Sequence, residues 1–262
     1  MRSILRYRPA WLQHLSPTPL TYTHEHPLKY THHARSSSTS TSPPNHTLLY
    51  PENPGSSSEH HDLASYAAYA ARTGLDVTSK TYAGTRYEYT VAAALSTLGF
   101  ELRRIGGRDD CGIDLLGTWR LPTAPPSSPN PPPPLRVLVQ CKASSAQSTK
   151  VGPHQIRELE GAFAGAPAGW RSSSPGSGVL GFLVAQKPAT KGVRDALGRS
   201  RWPMGFASCT ADGRLEQMVW NGRAEEEGLE GLGVGVRFSE DDAGGSGQRL
   251  VLTWKGRPCE PV

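Results

Sequence analysis

The chain has 262 residues, 36% of them hydrophobic, which allows one ordinary domain or two small ones. Its longest apolar runs, such as "VLGFLVA", are far too short to cross a bilayer, and its four cysteines form no C-x-x-C pair, which argues against a zinc site or a disulfide framework. The net charge of +5 invites a nucleic-acid reading, but residues 1–50 hold five Lys or Arg against one acid, Glu25, so four of those five charges belong to the leader and a basic binding surface has to come from local clusters.

Residues 1–58 carry arginine, serine and threonine with no acid before Glu25 and no continuous apolar core. That is the composition of a mitochondrial transit segment followed by a disordered leader, which predicts a mitochondrial matrix location. A folded domain is expected over 59–222. It opens with a short helix in "HDLASYAAYAART", stopped by Gly74, and a longer one in "TYAGTRYEYTVAAALSTLGF" with Gly99 as its C-cap. Gly84, Glu88, Val91, Leu95 and Leu98 fall on one stripe of this second helix, so Glu88 faces the interior and a carboxylate there needs a partner.

"FELRRIGG" reads as a strand and "CGIDLLGTW" as the next, with Asp114 inside it. The proline-rich stretch at 123–134 cannot join a sheet, because proline lacks the donor, and reads as a loop inserted in a hairpin. "LRVLVQCKA" returns as the third strand. Period two puts Gln140 and Lys142 on one face of it and the small Cys141 on the other. "GPHQIRELEGAFAG" is a helix with Pro153 in its first turn, "VLGFLVAQ" a fully buried strand, "PATKGVRDALGRSRW" a helix, and "MGFAS" and "LEQMVWN" two further strands. Residues 223–262 read as an acidic, glycine-rich segment, solvated from Glu225 to Asp242, ending in the strand "RLVLTWK". The order helix, strand, strand, strand, helix, strand predicts a mixed α/β fold, a central mixed sheet flanked by helices.

Three pieces converge in that arrangement. The hairpin makes Asp114 a neighbour of Gln140, Lys142 shares the face of Gln140, and a helix packed on the sheet brings Glu88 within reach. Phosphodiester hydrolysis uses such a set. A divalent metal on hard oxygen ligands, Mg²⁺ or Mn²⁺, polarises the phosphate and lowers the pKa of its water, and a lysine stabilises the developing charge. The same residues also have a plain structural reading, with Asp114 in a turn and Glu88 and Lys142 as an ion pair. Lys191, Arg194, Arg199 and Arg201, on and after one helix, are candidate phosphate contacts, as are Arg103, Arg104 and Arg108; a solvated helix face fits the first group equally well.

"GTRYE", "GID" and "QCK", followed by "VGPHQIRELEGAF" and "GVLGFLVAQ", resemble the PD-(D/E)xK nuclease superfamily, nearest its Mrr-like restriction-endonuclease branch, in which Q-x-K replaces D/E-x-K. With its leader, the whole chain resembles the fungal mitochondrial family called Required for respiratory growth protein 7. The resemblance implies a restriction-endonuclease-like core, with Asp114 as main metal ligand, Gln140 in place of the second acid, Lys142 as catalytic lysine and Glu88 completing the metal site. It implies a Mg²⁺-dependent nuclease acting on mitochondrial nucleic acid, DNA ahead of RNA, in support of respiratory growth, with a homodimer expected if both strands of a duplex are cut. A nuclease-like module that binds nucleic acid or a protein without cutting is the alternative. Asp110, near the site, reads as a turn residue in its "RDDCG" context.

Overall fold

The computed structural model describes residue 50 and residues 59–105, 112–122, 133–143, 151–171, 176–240 and 246–259. The leader, Asp110, Arg108 and most of the proline-rich stretch lie outside the described residues. Those described belong to one compact unit, residues 46–262.

Local chemistry sets the helix ends. Helix α1 (Leu63–Thr73) starts at a capping box, in which Ser65 N–H donates to Asp62 Oδ1 at 2.7 Å and Asp62 N–H donates to Ser65 Oγ at 3.0 Å. It ends at Gly74, whose φ of +66° is the left-handed conformation that a residue without Cβ adopts at no cost. Helix α2 (Lys80–Ser96) is capped by Ser79. Its C-cap is Thr97, two residues earlier than expected, because the chain turns at Ser96–Leu98 before Gly99 takes its positive φ. Helix α3 (Pro153–Gly165) has proline at its start, where no N–H is missed, and Gln155 Oε1 accepts Gly152 N–H at 2.7 Å. Helix α4 (Lys191–Arg199) is capped by Thr190.

Six strands, β1 (Phe100–Arg104), β2 (Leu115–Trp119), β3 (Leu135–Lys142), β4 (Val179–Ala185), β5 (Met204–Cys209) and β6 (Leu215–Trp220), form one sheet in sequence order. β1, β2 and β3 are antiparallel neighbours, β3, β4 and β5 run parallel, and β6 is antiparallel to β5. The expected order is therefore the observed one: α2, β1, β2, β3, α3, β4. Parallel strands need a crossover, and α3 and α4 supply it. β4 is buried along its whole length, as strands between two helical layers are.

Each face of the sheet has its own core. On one, Val91 and Leu95 of α2 pack with Leu115, Val137, Val139, Phe182 and Ala207. On the other, Ile156, Leu159 and Phe163 of α3 and Val193 of α4 pack with Leu116, Leu138, Leu183 and Phe206. Each fully buried side chain of this kind stabilises by about 1.5–3 kcal/mol relative to an exposed one. Gly181 sets the depth of α3, because a Cβ there would come within 2.7 Å of the Phe163 ring.

The segment after Asn221 is not the solvated linker its composition predicts. Asn221 caps a short turn, α5 (Gly222–Ala224), which runs into a wide helical turn at Glu225–Leu229, and Ala224, Glu227 and Leu229 are buried. Strand β7 (Leu232–Glu240) then pairs with β8 (Ser246–Trp254), which pairs with β9 (Arg257–Pro258) in a separate three-stranded sheet. Leu232, Leu250 and Leu252 join the same core as α2, so the last strands cover one side of the domain. Apolar spacing outweighs average acidity here.

Candidate active site

The parallel strands β3, β4 and β5 end at one edge of the sheet, where Lys142, Ala185 and Ser208 stand in one row. β2 begins at that edge, since Leu115 faces Val139, and the same register puts Asp114 opposite Gln140. Asp114 lies just ahead of β2 rather than inside it, but its backbone is held on both sides. Its N–H donates to Val139 O, and its carbonyl accepts Ile105 N–H, each at 2.9 Å. Its carboxylate Oδ2 accepts the backbone N–H of Cys141 at 2.6 Å.

Gln140 is 5% exposed, and among the described residues its Oε1 has no hydrogen-bond partner. A buried amide oxygen left bare in this way is costly and calls for a ligand or an explanation. The "GID" glycine makes room for it. At Gly112 the φ is +77°, and a Cβ would stand 3.0 Å from Gln140 Nε2. Lys142, on the same face, pairs with Glu158 of α3, Nζ to Oε2, at 3.0 Å.

Glu88 comes from α2, which packs on the opposite face. Its Oε2 accepts Arg104 Nε of β1 at 2.5 Å, and Arg104 Nη2 also reaches Thr85 Oγ1 at 3.4 Å. The ion pairs formed are thus Glu88–Arg104 and Lys142–Glu158, not the Glu88–Lys142 pair of the structural reading. Arg104 faces Leu115 across the β1–β2 ladder, so Glu88 is held on the β1 side of that edge. The Cys141 thiol is held well above its usual pKa, first by burial and then by the negative charges of Asp114 and Glu88. Among the described residues, no group of three or more His, Cys, Asp or Glu side chains is disposed to hold a metal. A site here would draw on the Gln140 amide oxygen beside Asp114, hard oxygen donors of the kind Mg²⁺ and Mn²⁺ accept.

The four basic candidates divide. Helix α4 starts just past β4, so Lys191 lies toward the edge that carries Lys142, whereas Arg199, about 12 Å down the helix, and Arg201, just past its end, lie near the start of β5. Lys191 pairs with Asp195 at 2.6 Å, and Arg194 Nη1 donates to Ala189 O at 2.8 Å. Arg103 stacks over the Tyr50 ring at 4.5 Å. Sequence reasoning missed Glu158 and the true role of Arg104. For Arg104 a signal existed: period two puts it on the face of Phe100 and Leu102, toward α2.

A family model described as Required for respiratory growth protein 7 matches residues 79–132 and 123–237. A mitochondrial protein of Schizosaccharomyces pombe, named as uncharacterised, is 28% identical over 168 residues, which is 63% of this chain and 61% of that protein. Mitochondrial proteins named Required for respiratory growth protein 7 are 33% identical over 124 residues in Eremothecium gossypii and 34% over 118 in Zygosaccharomyces rouxii, covering 36% and 33% of this chain and 51% and 48% of theirs. The chain therefore spans about half to six-tenths of the length of these relatives. A solved structure of the MspJI restriction endonuclease in complex with a 27-mer oligonucleotide aligns over 60% of this chain and 30% of its own, with a TM-score of 0.31 and 16% identity. The protein is mitochondrial, as these relatives are named. With the family model matched over more than half of its length, the chain belongs to the Required for respiratory growth protein 7 family.

Proposed function

We propose that the protein hydrolyses phosphodiester bonds of mitochondrial nucleic acid, DNA ahead of RNA, at the edge that holds Asp114, Gln140 and Lys142. The observation that carries this reading is the bare Gln140 Oε1, in a residue 5% exposed, opposite a carboxylate and two residues from a lysine. Asp114 and Gln140 would hold Mg²⁺ or Mn²⁺, with Glu88 adding negative charge nearby. Once bound, such a metal polarises the phosphate and lowers the pKa of a water. Lys142 stabilises the charge that develops on the phosphate oxygens. Lys191 and Arg194 neutralise flanking phosphates in the matrix-side substrate. Cutting both strands of a duplex would call for a homodimer.

A second reading, a nuclease-like module that binds without cutting, is favoured by one feature: Lys142 and Glu88 each already hold a counter-charge, Glu158 and Arg104. Cleavage decides between them. The full chain is incubated with linear, circular and branched DNA and with RNA, with Mg²⁺ or Mn²⁺, beside Lys142→Ala and Asp114→Ala. Cutting that disappears in both variants is the expected result. No cutting, or equal cutting by the variants, favours the binding module.

A further inference from the structure

Among the described residues, one ion pair has both side chains largely buried. Arg104 and Glu88 meet at 2.5 Å with 14% and 13% of their side chains exposed. In every other described pair both partners are about a third or more exposed. A buried pair is an inefficient way to stabilise a fold, because desolvation offsets most of the attraction and a packed apolar pair does as well. This one stands beside the candidate site. Arg104 faces Leu115, the residue after Asp114, across the β1–β2 ladder, and the Asp114 carbonyl binds the N–H of Ile105, the residue after Arg104. Arg104 also reaches Thr85, so it grips α2 at two points, three residues apart.

We propose that Arg104 is a positioning residue of the site: it holds the Glu88 carboxylate on the β1 side, neutralises it, and so limits the negative charge the site offers a divalent cation. This rests on the metal-dependent reading above. Arg104 and the dication then compete for one carboxylate. A purely structural clamp would make no such link between Arg104 and metal affinity.

The test is Mn²⁺ affinity of the full chain, read from the free-ion electron paramagnetic resonance signal. It is measured for the native protein, Arg104→Lys, Arg104→Gln, Glu88→Gln and the double variant Arg104→Gln/Glu88→Gln. Arg104→Gln should bind Mn²⁺ about tenfold or more tighter, because losing the guanidinium leaves the Glu88 carboxylate uncompensated beside the site. Arg104→Lys should stay near native affinity, Glu88→Gln should weaken it, and the double variant should return to it, since both charges are gone. If Arg104→Gln does not fold, the comparison of the double variant with Glu88→Gln still decides, because neutral amides replace the buried charges. A double variant as weak as Glu88→Gln, or an Arg104→Gln no tighter than native, overturns the role of Arg104 alone. No Mn²⁺ binding by the native chain overturns the metal reading and this proposal with it.

Discussion

The Asp114 carboxylate accepts the backbone N–H of Cys141, the residue between Gln140 and Lys142, at 2.6 Å. The acid thereby fixes the end of β3, so under the proposed function stability and chemistry are linked at one residue. Asp114→Asn keeps an acceptor but loses the charge-assisted bond and should cost about 1–2 kcal/mol, while Asp114→Ala should cost about 2–3 kcal/mol. Urea denaturation at neutral pH measures both, and any loss of cleavage has to be read at a temperature where the variants stay folded.

Glu158 Oε2 holds Lys142 Nζ at 3.0 Å, so under the proposed function it competes with a phosphate oxygen for that ammonium. The pair is partly exposed, so breaking it should change stability by less than about 1 kcal/mol. Glu158→Gln removes an anion from the path of an anionic ligand, and binding of a short DNA duplex should tighten by about two- to threefold at low salt. The gain should shrink as salt rises, because exposed charges are screened. Weaker binding in Glu158→Gln would mean that the carboxylate orients the lysine rather than blocks it.

Burial raises the Cys209 thiol from 9.0 to about 12, with Asp212 and Glu216 adding to the shift. Between those values the unfolded chain has lost a proton that the folded chain keeps, so stability is full below about pH 9 and falls as pH climbs through 12, by at most about 1.4 kcal/mol per pH unit from this group. The half-buried Cys141 thiol is shifted in the same direction and adds to the slope, and Tyr87, raised by burial, joins above pH 10. Urea melts between pH 8 and 10 should show the decline, and Cys209→Ala should about halve it. An unchanged slope would show that Cys209 ionises in the folded protein as readily as in the unfolded one.

Glu227 binds two backbone N–H groups, of Gly176 at 2.8 Å and of Gly178 at 2.7 Å, and is 8% exposed. It therefore ties the Glu225–Leu229 turn to the entry of β4, at the opposite edge of the sheet from Lys142. Glu227→Ala strands both donors and should cost about 2 kcal/mol or more. Mn²⁺ affinity should stay native, since nothing at the far edge changes. A parallel loss of metal binding would contradict the separation of the two edges.

Much of this protein was legible in the order of its residues. Helical spacing put Glu88 on a buried stripe, alternation put Gln140 and Lys142 on one face, and a hairpin had to bring Asp114 beside Gln140. These are local periodicities, and local geometry fixes them wherever the chain ends up. The element order of the domain followed for the same reason. Only the tertiary structure chose the partners. Arg104 lies 16 residues from Glu88, and Glu158 lies on helix α3 whereas Lys142 ends β3; no spacing rule pairs these charges, because which charge meets which depends on how layers stack. The same stacking turned the acidic stretch after Asn221 into packed structure, where Ala224, Leu229 and Leu232 find the core and Glu227 finds two N–H groups. Composition averages over a segment, but burial acts on one side chain at a time, and that selection is made only when distant elements meet.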